Sequence, residues 1–189
     1  MIRLAVVGNI CSGKTYIAKQ FGYPVFNADE EVAKLYKKNR KCFNKLKKIL
    51  PEYISSFPVK KQEITQAILS NKKNIKKITT IIHPEIRKIL NNFIKRNKGK
   101  KLIVLDIPLL IENKINKKND IIVFIQAGKK EIYKRLKKRH KFNHQLIKEF
   151  KRIQLPLEMK RKKSNFIIKN NFKSSTIKNN VKIILKKIF

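Results

Sequence analysis

Ile2-Arg3-Leu4-Ala5-Val6-Val7-Gly8-Asn9-Ile10-Cys11-Ser12-Gly13-Lys14-Thr15 opens the chain, an apolar run that breaks into G-x-x-x-x-G-K-[ST]. That spacing describes a phosphate-binding loop. Its glycines let the backbone turn tightly and aim N–H groups at phosphate oxygens. Lys14 brings a mobile positive charge, and Thr15 brings a hydroxyl for Mg²⁺. A helix starting at Lys14 adds the positive end of its dipole. A buried strand before the loop and a helix after it are the setting such a loop requires, so the chain reads as a nucleotide-binding protein.

Working outward, apolar runs at 2–7, 23–26, 102–107, 121–125 and 166–168 read as five buried strands. Amphipathic stretches separate them. The spacing predicts helices over 14–21, 29–38, 129–140, 144–154 and 174–188. The interval 39–100 shows no strand pattern and predicts helical pieces at 43–50, 60–69, 75–82 and 84–94, the last with Pro84 in its first turn. Alternation of this kind predicts an α/β fold: a five-stranded parallel sheet flanked by helices, with the phosphate loop between the first strand and the first helix.

Lys and Arg number 48 against 12 Asp and Glu, a net charge of +36 over 189 residues. Such a charge raises the question of nucleic acid. The cations recur from Lys34 to Lys187 rather than forming one block, and no aromatic-interleaved basic motif accompanies them. They read as solvated faces, with non-specific nucleic-acid binding expected only at low salt. Cys11 and Cys42 do not suggest a disulfide framework. No stretch is apolar enough to span a bilayer, and a strand starting at residue 2 leaves no leader peptide. A cytoplasmic monomer is the expectation.

The three aspartates are Asp29, Asp106 and Asp120. Asp29 and Asp106 lie just past or at the ends of apolar runs, where parallel sheets bind ligands. On the residues alone, Asp29 reads equally as a helix N-cap and as a catalytic carboxylate. Asp106 reads as a Mg²⁺-holding carboxylate or as a plain strand-end residue. Further segments stand in a fixed order: Asn27-Ala28-Asp29, His83-Pro84-Glu85-Ile86-Arg87, Asp106-Ile107-Pro108-Leu109-Leu110-Ile111-Glu112, Arg135 and Arg139 four apart, Gln154-Leu155-Pro156-Leu157-Glu158-Met159-Lys160, and Asn170-Asn171.

In that order the segments resemble the dephospho-CoA kinase family. Its pattern runs roughly T-G-G-I-G-S-G-K-S, D-A-D, H-P-x-I-R, D-x-P-L-L-x-E, an R-x-x-x-R helix, Q-x-x-x-E-x-K, and a strand ending in N. The resemblance implies a P-loop kinase fold in a single domain, 1–189, with a helical CoA-binding insertion at 30–100 and a mobile lid at 130–160. It implies phosphorylation of the ribose 3′-hydroxyl of dephospho-CoA by MgATP, giving CoA and ADP. It also implies roles. Asp29 would orient or deprotonate the hydroxyl, with Lys14 and Arg139 joining it in catalysis. ATP would be held by Gly8, Cys11, Ser12, Gly13, Lys14, Thr15 and Tyr16, with Arg135, Arg139 and Asn170. Dephospho-CoA would meet Asp29, His83, Arg87, Pro108, Leu109, Leu110 and Glu112. Thr15 and Asp106 would hold the metal. The chain departs from the pattern at Asn9, Cys11 and Asn27. The alternatives are another P-loop nucleoside or nucleotide kinase, and a basic nucleic-acid-binding protein with a vestigial loop.

Overall fold

A computed structural model describes residues 1–138 and 143–189. Five strands, β1 (Ile2–Gly8), β2 (Val25–Asn27), β3 (Leu102–Asp106), β4 (Ile121–Ala127) and β5 (Phe166–Asn170), form one sheet in the order β2-β3-β1-β4-β5. Every pairing is parallel. All five expected strands form, with ends moved by one or two residues.

The sheet belongs to one compact unit, made of residues 1–27, 153–189 and the described part of 96–142. Both of its faces are covered, which is why β1 and β3 are apolar at consecutive positions rather than at alternate ones. On one face Leu4, Val6, Val104, Val123, Ile125 and Ile168 pack against α1 (Lys14–Gln20) and α9 (Ser174–Ile188), through Ile17, Ile177 and Val181. Ala5, Val7, Ile103 and Leu105 point to the other face and are equally buried. Among the described residues, the remaining helices of this unit are α6 (Lys129–Lys137) and α8 (Leu157–Lys162). At the amino ends of the strands, Arg3 and Asp120 form an ion pair at 3.0 Å.

The second compact unit, 28–95 with 143–152, is helical. It holds α2 (Ala28–Lys38), α3 (Arg40–Ile49), α4 (Lys61–Ser70), α5 (Lys73–Arg96) and α7 (His144–Arg152). The sequence pattern divides α5 at Pro84, but the helix runs through it as 24 residues. Proline cannot donate to the carbonyl of Thr80, and a mid-helix proline costs about 3 kcal/mol. The stripe Ile75, Ile78, Ile82, Ile86 and Leu90 is buried on both sides of Pro84, and that continuous packing outweighs the loss. Residues 130–160 are also divided: α7 packs with α4, while α6 and α8 belong to the sheet unit. No helix among the described residues is long and apolar enough to cross a membrane.

Glu63 organises the start of α4. Its Oε2 accepts the N–H of Lys60 at 2.8 Å, and its Oε1 accepts the N–H and hydroxyl of Ser55 at 3.0 and 2.7 Å. Burial acts to raise its pKa, but these hydrogen bonds outweigh burial and hold it below the usual carboxylate value. A lowered folded-state pKa contributes stability above the unfolded value of 4.5, and that stability is lost as the pH falls through the folded value. Glu63→Ala is expected to cost about 1–2 kcal/mol at neutral pH. In urea titrations the gap between wild type and variant narrows as the pH drops into the acid range.

Candidate active site

The loop between β1 and α1 is built by two glycines with different tasks. Gly8 ends β1 at φ +151°, and a Cβ there would lie 2.6 Å from the carbonyl oxygen of Ile125 on β4. Gly13 starts α1 at φ +89°, and a Cβ there would lie 2.5 Å from Asn170 Nδ2. Between them Cys11 also takes a left-handed conformation, φ 60°. The Asn9 side chain accepts the N–H of Ile10 at 2.8 Å, and its carbonyl accepts the N–H of Ser12 at 3.2 Å. A loop without the pattern's glycines at positions 9 and 11 therefore still turns, with the main-chain bond from Ser12 to Asn9 spanning it and Cys11 itself in the left-handed conformation.

Lys14 folds back over the loop. Its ammonium donates to the carbonyls of Asn9 at 2.6 Å and Gly8 at 3.3 Å. Ser12 is fully buried, and its hydroxyl has no partner among the described residues. Tyr16 is exposed and shares a 2.8 Å hydrogen bond with Ser174.

The Thr15 hydroxyl donates to Asp106 Oδ2 at 2.6 Å, and Asn27 Nδ2 donates to the same oxygen at 3.3 Å. These residues come from α1, the end of β3 and the end of β2. The register explains the meeting, since Asp106 stands opposite Val6 on one side and Asn27 on the other. Asp106 is 3% exposed, so its charge needs donors. An aspartate at position 27 would set a second carboxylate beside Asp106; the amide donates instead.

Asn170, expected among the residues that hold ATP, is buried. Its Nδ2 donates to the carbonyl of Ser12 and its Oδ1 accepts the N–H of Phe172, both at 2.8 Å. It therefore braces the loop from below and uses the space Gly13 leaves empty. Arg135 lies with its guanidinium 3.9 Å from the centroid of the Phe172 ring. Arg139 lies outside the described residues.

After β3 the chain turns through Ile107 to Ile115. Pro108 and Leu109 are half-buried, but Leu110 is fully buried in the core and offers no surface to a ligand. Glu112 is committed inward: its Oε1 accepts the N–H of Leu155 at 2.9 Å and lies 2.7 Å from the ammonium of Lys160. Lys160 was not among the expected site residues; its place in Gln154-to-Lys160 is the signal that pointed to it.

In the helical unit, Asp29 is exposed in the first turn of α2, followed by Glu30 and Glu31. The helix begins at Ala28, so Asp29 is not its N-cap. His83 and Arg87 lie one turn apart on α5. Burial, and then the Arg87 charge, lower the pKa of His83, which favours a neutral imidazole. Both cysteines are free, and burial pushes the Cys42 thiol up to about 11.

The family model described as dephospho-CoA kinase matches residues 2–176. A dephospho-CoA kinase of Wolbachia pipientis is 30% identical over 187 residues, covering 96% of this chain and 95% of that protein. A dephospho-CoA kinase of Bartonella quintana is 31% identical over 170 residues, 87% of each chain. A crystal structure from Thermus thermophilus superposes with a TM-score of 0.81 at 26% identity, covering all of this chain and 98% of that one.

The glycine geometry makes a specific prediction. Gly13→Ala is expected to cost about 1–3 kcal/mol through its positive φ and to weaken ATP binding in calorimetry. Adding Asn170→Ala removes the clash but not the backbone strain. The melting temperature of the double variant is therefore expected to stay below that of Asn170→Ala alone.

Proposed function

The chain belongs to the dephospho-CoA kinase family, and from that membership we infer that it transfers the γ-phosphoryl group of ATP to the ribose 3′-hydroxyl of dephospho-CoA, releasing CoA and ADP, in the last step of coenzyme A synthesis. The observation that carries this reading to the residues is the meeting of Thr15 with Asp106 at the mouth of a glycine-turned loop. Phosphoryl transfer asks the protein chiefly for positioning and charge stabilisation, and these parts supply both.

ATP phosphates would lie against the N–H groups of the loop and the start of α1. The Lys14 ammonium, now on the carbonyls of Gly8 and Asn9, would exchange them for phosphate oxygens. Arg135, whose guanidinium lies over the Phe172 ring, would lie on the base side of the nucleotide.

Mg²⁺ fits the residues present. Thr15 Oγ1 and Asp106 Oδ2 are hard oxygen donors 2.6 Å apart. Among the described residues no group of three or more His, Cys, Asp or Glu could hold a metal. Mg²⁺ in kinase sites is commonly bound by one or two protein oxygens together with nucleotide phosphates and water. When bound, it neutralises charge on those phosphates.

Asp29 is assigned to the acceptor hydroxyl, to orient it and accept its proton. Support comes from its exposure and its place in the chain, set against the other two aspartates. Asp106 is engaged by Thr15, and Asp120 by Arg3 at the other end of the strands. Asp29 is the exposed one, two residues beyond the end of β2. His83 and Arg87 are assigned to the substrate, with Arg87 meeting a phosphate.

The test is ADP release from MgATP with and without dephospho-CoA, with product mass read by spectrometry. Dephospho-CoA-dependent ADP and a product heavier by one phosphoryl group are expected. Turnover only with a nucleoside or nucleotide would change the acceptor and overturn the reading. Asp29→Asn is expected to lower kcat by about 10²- to 10⁴-fold while leaving ATP affinity unchanged. Unchanged turnover would refute the assignment of Asp29.

A further inference from the structure

Lys160 heads the large side chains that are fully buried, with no exposed surface. Its ammonium lies 2.7 Å from Glu112 Oε1 and 3.5 Å from the carbonyl oxygen of Pro108. The same Glu112 oxygen accepts the N–H of Leu155. Glu112 Oε2 is buried and has no hydrogen-bond partner among the described residues. All these residues belong to the sheet unit.

A buried pair of this kind is a poor way to gain stability. Removing both charges from water costs much of what their attraction returns, and apolar residues of similar volume often do as well or better. The unpartnered Oε2 adds a further desolvation cost. What an apolar pair cannot do is hold specific main-chain atoms. This pair holds two. One is Pro108, two residues beyond Asp106, whose carboxylate receives the Thr15 hydroxyl. The other is Leu155, two residues after the chain re-enters the sheet unit at Ile153. Lys160 itself sits on α8, which packs near β1, the strand that delivers the phosphate loop.

We propose that Lys160 is a positioning residue for phosphoryl transfer, acting through Glu112 and the Pro108 carbonyl to fix the end of β3 so that Asp106 keeps its place on Thr15. The proposal rests on the kinase reading above and adds to it a residue that never touches the substrate. Lysine is suited to this task because its compact ammonium can serve a carboxylate and a carbonyl at once.

The experiment compares wild type, Lys160→Met, Glu112→Leu/Lys160→Met and Glu112→Gln. Melting temperature, steady-state kinetics and ATP affinity by calorimetry are read for each. Lys160→Met alone leaves Glu112 buried without its counter-charge and is expected to melt lower. The double variant is expected to regain the wild-type melting temperature or exceed it. Its kcat is expected to stay about 10- to 100-fold low, with ATP bound about tenfold more weakly. Glu112→Gln keeps the shape and an acceptor for Leu155, and is expected to lose kcat in the same direction. A double variant that regains kcat and ATP affinity together with stability would show that the pair only fills space. Should the double variant not fold, wild-type kcat in Glu112→Gln would overturn the proposal equally. A loss confined to the KM for dephospho-CoA would place Glu112 on the substrate and refute the positioning role. Wild type that turns over no dephospho-CoA would defeat the functional reading, while the ATP affinities of the variants would still decide the role of Lys160.

Discussion

A carboxylate closed off from water must find donors, and Asp106 finds them in Thr15 and Asn27. That requirement links three pieces of chain. Parallel pairing places the ends of β1, β3 and β2 side by side, with Asp106 in the middle row. Its charge then draws in the first turn of α1 through the Thr15 hydroxyl. The phosphate loop is thereby anchored from the β3 side, while Asn170 anchors it from the β5 side through the carbonyl of Ser12. The loop is thus held at both sides, which suits a site that works by positioning. Asn27 belongs to the same logic. As an amide it stabilises the neighbouring carboxylate, whereas a second acid would compete with it for the same donor.

The charge of the chain is distributed by the same physics. Most of its few acids fall into two groups. Asp106, Asp120, Glu63 and Glu112 are drawn inside, each onto named donors or a cation. Others, such as Glu31 with Lys34 and Glu85 with Lys88, pair one helical turn away with exposed lysines, contacts worth little in water. Lysine occupies the solvated faces almost unopposed, giving +36. A surface of that sign raises the local concentration of anionic ligands such as nucleotides.

Much of this was legible in the chain itself. Strands buried on both faces announce themselves as unbroken apolar runs, so all five were readable, and the glycine spacing fixed the loop between β1 and α1. Readings based on local rules failed where packing overrode them. Pro84 marks a helix start by local preference, but the isoleucine stripe of α5 continues past it. Asp29 has the chemistry of an N-cap, yet the helix starts one residue earlier, because β2 passes directly into it. Leu110, which the resemblance assigns to dephospho-CoA, is fully buried in the core.

The sequence by itself determined the fold class, the phosphate loop and the family, because these rest on short-range spacing: apolar runs, two glycines, and motifs in order. Tertiary structure decided which side chains share an atom. Asn170 reaching beneath Gly13, Asn27 donating to Asp106, and Lys160 closing on Glu112 join residues that lie far apart in the chain. No local pattern encodes such meetings. They arise because a parallel sheet sets its strand ends in one row, and because each buried polar group there must find the partner that the rest of the fold brings within reach.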